Sequence, residues 1–448
     1  MSGDADPETP SGGVLELRDA LASGALAAID LAETLLERIS ELEPEICAWA
    51  WIDPDEVRRQ ARAMDRWREA GHPLGPLHGL PVGVKDVIDV ARIPCENGCR
   101  IDAGRVPETD AWVVRRLRAA GGYVMGKTVT TELAYMNAGR TRNPHDRERT
   151  PGGSSSGSAA AVAAGMVPLA IGTQTGGSVI RPAAFCGVTG FKPSYGAIPR
   201  TGVLMQSHTL DTLGVFAAEP EGAALLAEAL FGWDEHDPAT RPTSPPRLLA
   251  AARAAPAKPP VFAFARPPGW DDVAAPEMKE ALLEFVFRLG DRCIEIELPP
   301  IFDEAAALRA QINFAEMAHY YRRYAEEGPE RLGDVTRAAM ADGAASLTRD
   351  YLAALDRRGP LSACISEILE RCDAILCPAA AGPAPLGLEY TGNPIFNGLW
   401  TWLGTPAITL PLLATAEGLP MGVQLVGARG ADGRLLSAAN ALWREFAA

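Results

Sequence analysis

The sequence predicts an α/β fold in which a largely parallel β-sheet is covered by helices on both faces. Apolar runs of strand length alternate with segments whose apolar residues recur at helical spacing, and glycine- or proline-rich turns separate them. The composition, with 47% hydrophobic and 22% charged residues, is that of a globular protein. The length of 448 residues leaves one large domain, or two or three smaller ones, open.

The first part of the chain predicts helices that wrap the outside of the core. Leucines and isoleucines at helical spacing predict two helices within residues 14–42, broken near Ser23 and Gly24. A short strand from Cys47 to Ile52 and a helix from about Pro54 to Ala70 follow. We assign all of these to a helical wrap over residues 14–75.

A lysine stands in the first apolar strand of the central region, residues 76–231. This strand, Val82 to Ile88, places Lys85 among valines. Lysine is seldom buried, so Lys85 is either a functional group or a strand-end residue whose amine reaches solvent.

Two loops of small residues follow in the same region. Residues 150–158 hold three consecutive serines flanked by glycines and open a helix, and residues 172–178 follow a short strand. Glycines let the main chain approach a ligand closely, and the hydroxyls offer donors and acceptors. The two loops are predicted to contribute to one site, although Ser154 and Ser155 can also be explained as caps of the helix that follows.

The C-terminal half repeats the alternation of strands and helices. Residues 232–260 are rich in proline and predict an exposed, poorly structured connector. Residues 261–370 predict a strand–helix–strand unit and then a variable helical cap over the pocket. Residues 371–448 are expected to complete the sheet and to close with a helix.

Two short motifs match known catalytic patterns in their letters but not in their context. Residues 121–128 fit a phosphate-binding P-loop, yet a helix precedes the first glycine and an apolar strand lies inside the loop. Residues 153–157 fit the nucleophile elbow of α/β-hydrolases, yet the polar segment 142–149 cannot form the buried strand that this motif requires. Nucleotide binding and a serine–histidine–acid triad are therefore both disfavoured.

Several blocks of the chain resemble, in family order, the amidase signature family. These blocks are Gly79–Asp86, Gly126–Thr128, Thr141–Pro144, Gly152–Gly165, Gly172–Ser178, Gly404–Ala407 and Gly422–Gly427. The resemblance covers about residues 15–230 and 371–446. It implies a single large domain, residues 1–448, with a mixed, mostly parallel central β-sheet covered by helices on both faces. It also implies an amidohydrolase that needs neither a metal nor a cofactor.

The resemblance further implies a serine–serine–lysine triad. Ser178 would be the nucleophile, Ser154 a bridging serine held by a cis peptide bond, and Lys85 the base, with Ser155 in support. Such chemistry is physically reasonable because a serine attacks an amide only when a base removes its proton, and burial lowers the pKa of a lysine. The expected oxyanion hole consists of the backbone N–H groups of Thr175, Gly176, Gly177 and Ser178.

Two positions depart from many family members. Gln174 stands where an acid is common, and the arginine after the nucleophile is Arg181, one place later than usual. This arrangement is similar to a branch of small amidases that includes malonamidase-like enzymes. An arginine this close to Ser178 suits a substrate carboxylate, so a small amide bearing a carboxylate is expected. An internal ion pair or a backbone hydrogen bond is the alternative for Arg181.

Composition and charge limit the kinds of partner and the location that can be expected. A net charge of −15 disfavours direct contact with nucleic acid, and no apolar run is long enough to span a membrane. No C-x-x-C pair occurs among the eight cysteines, so no metal site is expected. The polar opening Met1–Asp6 lacks the features of a signal peptide, which predicts a cytoplasmic location.

Two other functions and the state of assembly stay open at this point. The chain could be the glutaminase (A) subunit of an aminoacyl-tRNA amidotransferase, which has the same triad and works with partner subunits. It could also be a catalytically silent assembly subunit. A homodimer or a small partner subunit is compatible with either, and the substrate itself is expected to be a small-molecule amide.

Overall fold

The computed structural model describes residues 13–447, which are built on one sheet of eleven strands. The opening Met1–Asp6 lies outside these residues. The spatial order of the strands is β1-β3-β2-β4-β6-β5-β10-β11-β9-β7-β8. The strands are β1 Trp49–Trp51, β2 Pro81–Lys85, β3 Tyr123–Thr128, β4 Leu169–Gln174, β5 Thr189–Lys192, β6 Thr212–Ala217, β7 Phe262–Ala265, β8 Cys293–Ile296, β9 Ala374–Pro378, β10 Ala407–Ala414 and β11 Pro420–Val426.

Sixteen α-helices surround this sheet within the described residues, and none of these helices has the length and hydrophobicity of a membrane span. The helices are α1 Val14–Ser23, α2 Ala28–Ile46, α3 Pro54–Glu69, α4 Trp112–Ala119, α5 Ser156–Ala163, α6 Ile180–Cys186, α7 Pro220–Leu230, α8 Leu248–Arg253, α9 Pro276–Leu289, α10 Ala305–Tyr320, α11 Arg322–Glu327, α12 Asp334–Ala344, α13 Thr348–Asp356, α14 Arg358–Leu369, α15 Ile395–Leu403 and α16 Asp432–Phe446.

The sheet is mixed, and its parallel pairs are confined to two groups of strands. Strands β3, β2 and β4 run parallel in one half, and β9, β7 and β8 run parallel at the opposite end. The other six of the ten described pairs are antiparallel. The α/β class and the mixed sheet are confirmed, whereas the expected predominance of parallel pairs is not found. Of the six antiparallel pairs, only β10 and β11 are joined by a short turn, which makes strands pair antiparallel. The other five pairs bring together strands that no short turn connects.

Both faces of the sheet are buried except at the edge strand β8, and successive residues of one strand pack into different cores. In β7, Phe262 and Phe264 belong to the larger core, whereas Ala263 and Ala265 belong to a second one. This two-sided burial is the reason that its strands read as nearly continuous apolar runs.

The N-terminal wrap contains the predicted helices. Helix α1 ends at Gly24, whose φ of +79° is readily adopted by glycine, and α2 begins four residues later. Asp53 caps α3 by accepting the N–H groups of Asp55 and Glu56.

Several segments differ from expectation, and β5 and β6 are strands where the sequence predicted none. Helix α8 lies within residues 232–260, and Asp237 of the same segment is buried in a two-bonded ion pair with Arg200. The high proline content predicted a poorly structured segment. The ion pair that orders it could not be predicted from the segment, because Arg200 lies outside it. Helix α15 was also unexpected: eight of its nine residues are buried, including the polar Asn397 and Thr401, so no solvent-facing side of charged residues marks it. The segment boundaries themselves stay predictions.

Candidate active site

Lys85 is the last residue of β2, and its side chain is completely buried. Its Nζ donates to Ser154 Oγ at 2.7 Å and to Thr173 Oγ1 at 2.8 Å. Burial is the main reason that the pKa of Lys85 lies well below its ordinary value; Asp211 opposes this shift and Arg181 adds to it. The amine therefore does not reach solvent, and its environment favours the neutral form that a base requires.

The neighbouring Asp86 is paired with a different lysine. Lys127 Nζ donates to Asp86 Oδ1 at 2.9 Å, and both side chains are buried. Lys127 is the lysine of the P-loop-like stretch, and strand β3 occupies the place of the supposed phosphate loop. Asp86, the sequence neighbour of Lys85, is therefore paired with Lys127 and not with Lys85. The position of Lys127 in a strand also argues against a nucleotide site.

Ser154 follows a cis peptide bond between Gly153 and itself, and it is buried. Around it, the loop is held by hydrogen bonds to two carbonyls: Ser156 Oγ donates to Gly152 O, and Arg181 Nη2 donates to Gly153 O, both at 2.7 Å. Helix α5 begins at Ser156 without a side-chain cap from Ser155. The hydroxyl of Ser154 is thus oriented toward Lys85 rather than toward the helix.

Ser155 contacts Thr173 rather than the bridging serine. Its Oγ donates to Thr173 O at 3.2 Å and lies 3.3 Å from the Thr173 N–H group. Since the Thr173 hydroxyl accepts a bond from Lys85, Ser155 supports the lysine through Thr173. Ser155 is fully buried, unlike the exposed serine of a nucleophile elbow.

The second loop leaves a row of backbone donors unpaired. The N–H groups of residues 175–178 make no hydrogen bond to any residue between 13 and 447. The loop is fixed by other groups: Thr175 Oγ1 donates to Asp211 Oδ1 at 2.5 Å, and Thr401 Oγ1 donates to Gly176 O at 2.8 Å. Fixed and unpaired N–H groups are suited to stabilise an oxyanion.

Gln174 has a structural role that its amide alone can fill. Its Oε1 accepts the N–H groups of Val179 at 2.8 Å and Ile180 at 3.0 Å, at the start of α6. Its Nε2 donates to Thr401 Oγ1 at 3.0 Å. An ionised acid at this position could accept hydrogen bonds but not donate one. Gln174 therefore makes a bond to Thr401 that the acid common in the family could not donate.

Ser178 lines a pocket of about 220 Å³, together with Arg181, Gln206 and Arg309. No aspartate, glutamate, lysine or histidine lines this pocket. The Ser178 hydroxyl makes no hydrogen bond within residues 13–447, so the structure joins Lys85 to Ser154 but not Ser154 to Ser178. A larger cleft of about 800 Å³, bordered by Arg266 and neighbouring acidic residues, shares no residue with this pocket.

Arg181 combines the two interpretations that the sequence left open. Its Nε donates to Thr391 O at 2.7 Å and its Nη2 donates to Gly153 O, which are the backbone bonds of the alternative. Its Nη1 is buried and has no partner among the described residues. Burial lowers the pKa of Arg181 to about 10, so the guanidinium stays charged at neutral pH.

Residues that the sequence did not single out complete the site: Thr173, Asp211, Arg309 and Thr401. Thr173 lies in β4, within the stretch 172–178 whose hydroxyls the sequence already offered as donors and acceptors. The other three carry no local motif, and the fold alone brings them to the loop. Within residues 13–447 no group of three or more histidine, cysteine or acidic side chains is placed to hold a metal.

Comparisons with known proteins place these features in a family. The Amidase family model matches residues 30–436. The A subunit of the glutamyl-tRNA(Gln) amidotransferase from Symbiobacterium thermophilum is 34% identical over 461 residues, covering 93% of either chain.

Solved structures agree over almost the whole length. A chain from work on the evolutionary origins of an s-triazine catabolic enzyme superposes with a TM-score of 0.89 at 27% identity, covering 97% of this chain and 98% of the other. The peptide amidase of Stenotrophomonas maltophilia gives a TM-score of 0.84 at 27% identity and covers 98% of each chain.

Proposed function

Because the chain belongs to the amidase signature family, we propose that it hydrolyses the carbon–nitrogen bond of a small amide through an acyl-enzyme on Ser178. One observation carries this proposal: the completely buried amine of Lys85 lies 2.7 Å from the hydroxyl of the buried Ser154. A buried, neutral lysine is a base of the kind that a serine nucleophile requires. The complete set of Lys85, Ser154 and Ser178 argues against a catalytically silent protein.

The proposed reaction moves one proton out and back. Ser178 Oγ attacks the amide carbonyl while its proton passes to Ser154, whose own proton passes to the neutral Lys85 amine. The N–H groups of residues 175–178 stabilise the oxyanion that forms. The proton then returns through Ser154 to the leaving nitrogen, the carbon–nitrogen bond breaks, and ammonia or an amine departs. Water hydrolyses the ester on Ser178 by the same relay.

The proposed substrate is a small amide that carries a carboxylate. Arg181 Nη1, a buried donor without a partner among the described residues, lies at the pocket of Ser178. Bonds between a guanidinium and a carboxylate are strengthened by charge and are strongest away from water. A pocket of about 220 Å³ suits a short acyl chain.

A second candidate is a glutaminase that supplies ammonia to an amidotransferase. It is favoured by the 34% identity to proteins of that name over nearly the full chain, and it would require partner subunits. The charges that line the pocket disfavour glutamine as the substrate. Glutamine carries an ammonium beside its carboxylate, whereas the pocket lining holds two arginines and no acid. The neutral Gln206 Oε1 is a buried acceptor there without a partner in residues 13–447, which is a weaker ligand for an ammonium than a carboxylate is.

Labelling and a three-substrate comparison test the proposal. The purified full chain is treated with a fluorophosphonate, and the adduct is located by mass spectrometry. We expect it on Ser178, and an adduct on Ser155, or labelling that survives Ser178→Ala, would contradict the assignment. Ammonia release is then compared for succinamate, its neutral analogue butanamide, and L-glutamine. Preference for succinamate supports the first candidate, whereas preference for glutamine, or activity that appears only with a co-purified partner, supports the second.

A further inference from the structure

Two arginines from separate parts of the fold converge on the glycines that precede Ser178. Arg181 belongs to α6, next to the second loop, and Arg309 belongs to α10 in the cap. We propose that Arg181 and Arg309 together hold one substrate carboxylate, and that Arg309 is a specificity-determining residue contributed by the cap. This inference rests on the proposed amidohydrolase function and deepens it.

Arg309 has no protein partner within the described residues. Neither a hydrogen bond nor an ion pair to its guanidinium is formed there, although Arg309 lines the pocket and burial lowers its pKa. The Arg309 side chain is only partly buried, so its guanidinium faces the pocket rather than being enclosed by other protein groups. A guanidinium at a pocket without a protein partner leaves its donors available to an anion that binds there.

Glycines make room for this guanidinium. A Cβ atom on Gly398 would lie 2.6 Å from Arg309 Nε, so the side chain occupies the space that a larger residue in α15 would fill. A Cβ atom on Gly176 would lie 3.6 Å from Arg309 Nη1. The guanidinium therefore reaches the loop whose N–H groups are unpaired within the described residues.

Arg181 reaches the adjacent glycine of the same loop. A Cβ atom on Gly177 would lie 2.9 Å from Arg181 Nη1, the nitrogen that has no partner within the described part of the chain. The charges of the two side chains interact. Burial is the largest cause of the lowered pKa of Arg181; Tyr390 raises this pKa, and the charge of Arg309 lowers it further. Two like charges thus lie near one loop, in a pocket whose lining holds no acid.

A carboxylate bound between the two arginines removes two unfavourable features, the unpaired donors and the repulsion between like charges. It supplies acceptors to the unpaired donors, and its negative charge offsets the repulsion between the guanidinium groups. A neutral amide of the same shape offers neither. The pocket is therefore expected to discriminate between substrates by charge, and Arg309 of the cap contributes to this discrimination.

Arg309 is the better residue for the test, because Arg181 also has a structural role. Arg181 Nη2 bonds the carbonyl of Gly153, so its substitution also disturbs the loop of Ser154. Arg309 makes no such bond within residues 13–447. A matched control exists in the same cap, since Arg349 in α13 is 80% exposed and lies outside the pocket lining.

The experiment measures kcat/KM for succinamate and for butanamide in the full chain and in Arg309→Met, Arg309→Lys and Arg349→Met. We expect the ratio of the two values to fall about tenfold or more in Arg309→Met, which corresponds to about 1.4 kcal/mol or more, mainly through KM for succinamate. Arg309→Lys should lie between, because it keeps the charge but not the fork of donors. Arg349→Met should keep the ratio of the unmodified chain. An unchanged ratio in Arg309→Met overturns the inference.

A binding measurement separates this inference from the proposed function. Succinate, the expected product, is titrated calorimetrically into Ser178→Ala and into Ser178→Ala/Arg309→Met, after circular dichroism has verified that both are folded. Binding that weakens at least tenfold in the double variant supports the inference, and equal binding overturns it. A failure of the proposed function shows differently, as absence of fluorophosphonate labelling on Ser178 in the unmodified chain.

Discussion

Arg181 Nη2 donates to the carbonyl oxygen of Gly153 at 2.7 Å. The arginine expected to bind substrate therefore also holds the peptide unit that leads into Ser154, the residue bonded to Lys85. Substrate recognition and orientation of the bridging serine are linked in one side chain. This link changes what substitution of Arg181 is expected to do.

Replacing Arg181 by methionine should lower kcat even for a neutral amide. The loop of Ser154 loses the donor to Gly153 O, and a misplaced relay slows every substrate, by about tenfold or more. KM for succinamate should rise in addition. Steady-state kinetics with butanamide and succinamate provide the check, with Arg349→Met as control. If kcat for butanamide were unchanged, Arg181 would have no positioning role.

Activity should rise with pH and reach a plateau as Lys85 loses its proton. The pKa of Lys85 is lowered by burial, so the plateau should begin below the ordinary lysine value of about 10.4. The measurement is kcat/KM for succinamate across the pH range over which the fold is stable. A profile with its maximum in acid would contradict the assignment of Lys85 as base, and Lys85→Met should be nearly inactive throughout.

The same shift makes a prediction for stability. Because the folded pKa of Lys85 lies below the unfolded value of about 10.4, the unfolded state binds more protons between these two limits. The free energy of unfolding should therefore rise with pH in this window, and the rise should be smaller in Lys85→Met, which lacks the contribution of Lys85. Buried Lys192, whose pKa burial lowers to about 7, contributes in the same direction, so the difference between the two proteins is the informative quantity. Urea unfolding at several pH values measures it; parallel curves would show that the amine is not perturbed.

Gln174→Glu should weaken the second loop. The glutamate can still accept the N–H groups of Val179 and Ile180, but it cannot donate to Thr401. Thr401 is then free to donate to the acid instead of to Gly176 O, which removes one support of the oxyanion loop. We expect a loss of about 1–3 kcal/mol of stability and a lower kcat, measured by urea unfolding and by kinetics. Unchanged values in both would show that the donor bond is unimportant.

Lys127→Met should destabilise the fold by about 3–5 kcal/mol, because it leaves the buried Asp86 carboxylate without its ion-pair partner. The double variant Asp86→Asn/Lys127→Met should be less destabilised than the single one, since no unpaired charge remains. Urea unfolding of the three proteins tests this. A double variant that is no better than Lys127→Met would indicate that the pair contributes by packing rather than by charge.

Much of the fold could be read from the chain because its signals are local. Gly24, the capping residue Asp53 and the alternation of strands and helices act within a few residues, and the helices and strands near them occur as predicted. The direction of strand pairing is not local. It depends on which strands meet across the sheet, and apolar runs such as β4 and β6 carry the same pattern in either direction.

The sequence by itself determined which chemical groups the two loops and the strand of Lys85 carry. The small residues, the hydroxyls and the lysine among valines are visible without any contact being known. Only the tertiary structure decided which groups complete them. Arg309, Thr401 and Asp211 reach the loop of Ser178 from distant parts of the chain. Packing of separate elements sets such contacts, and a position that is set by packing leaves no periodic trace in its own segment.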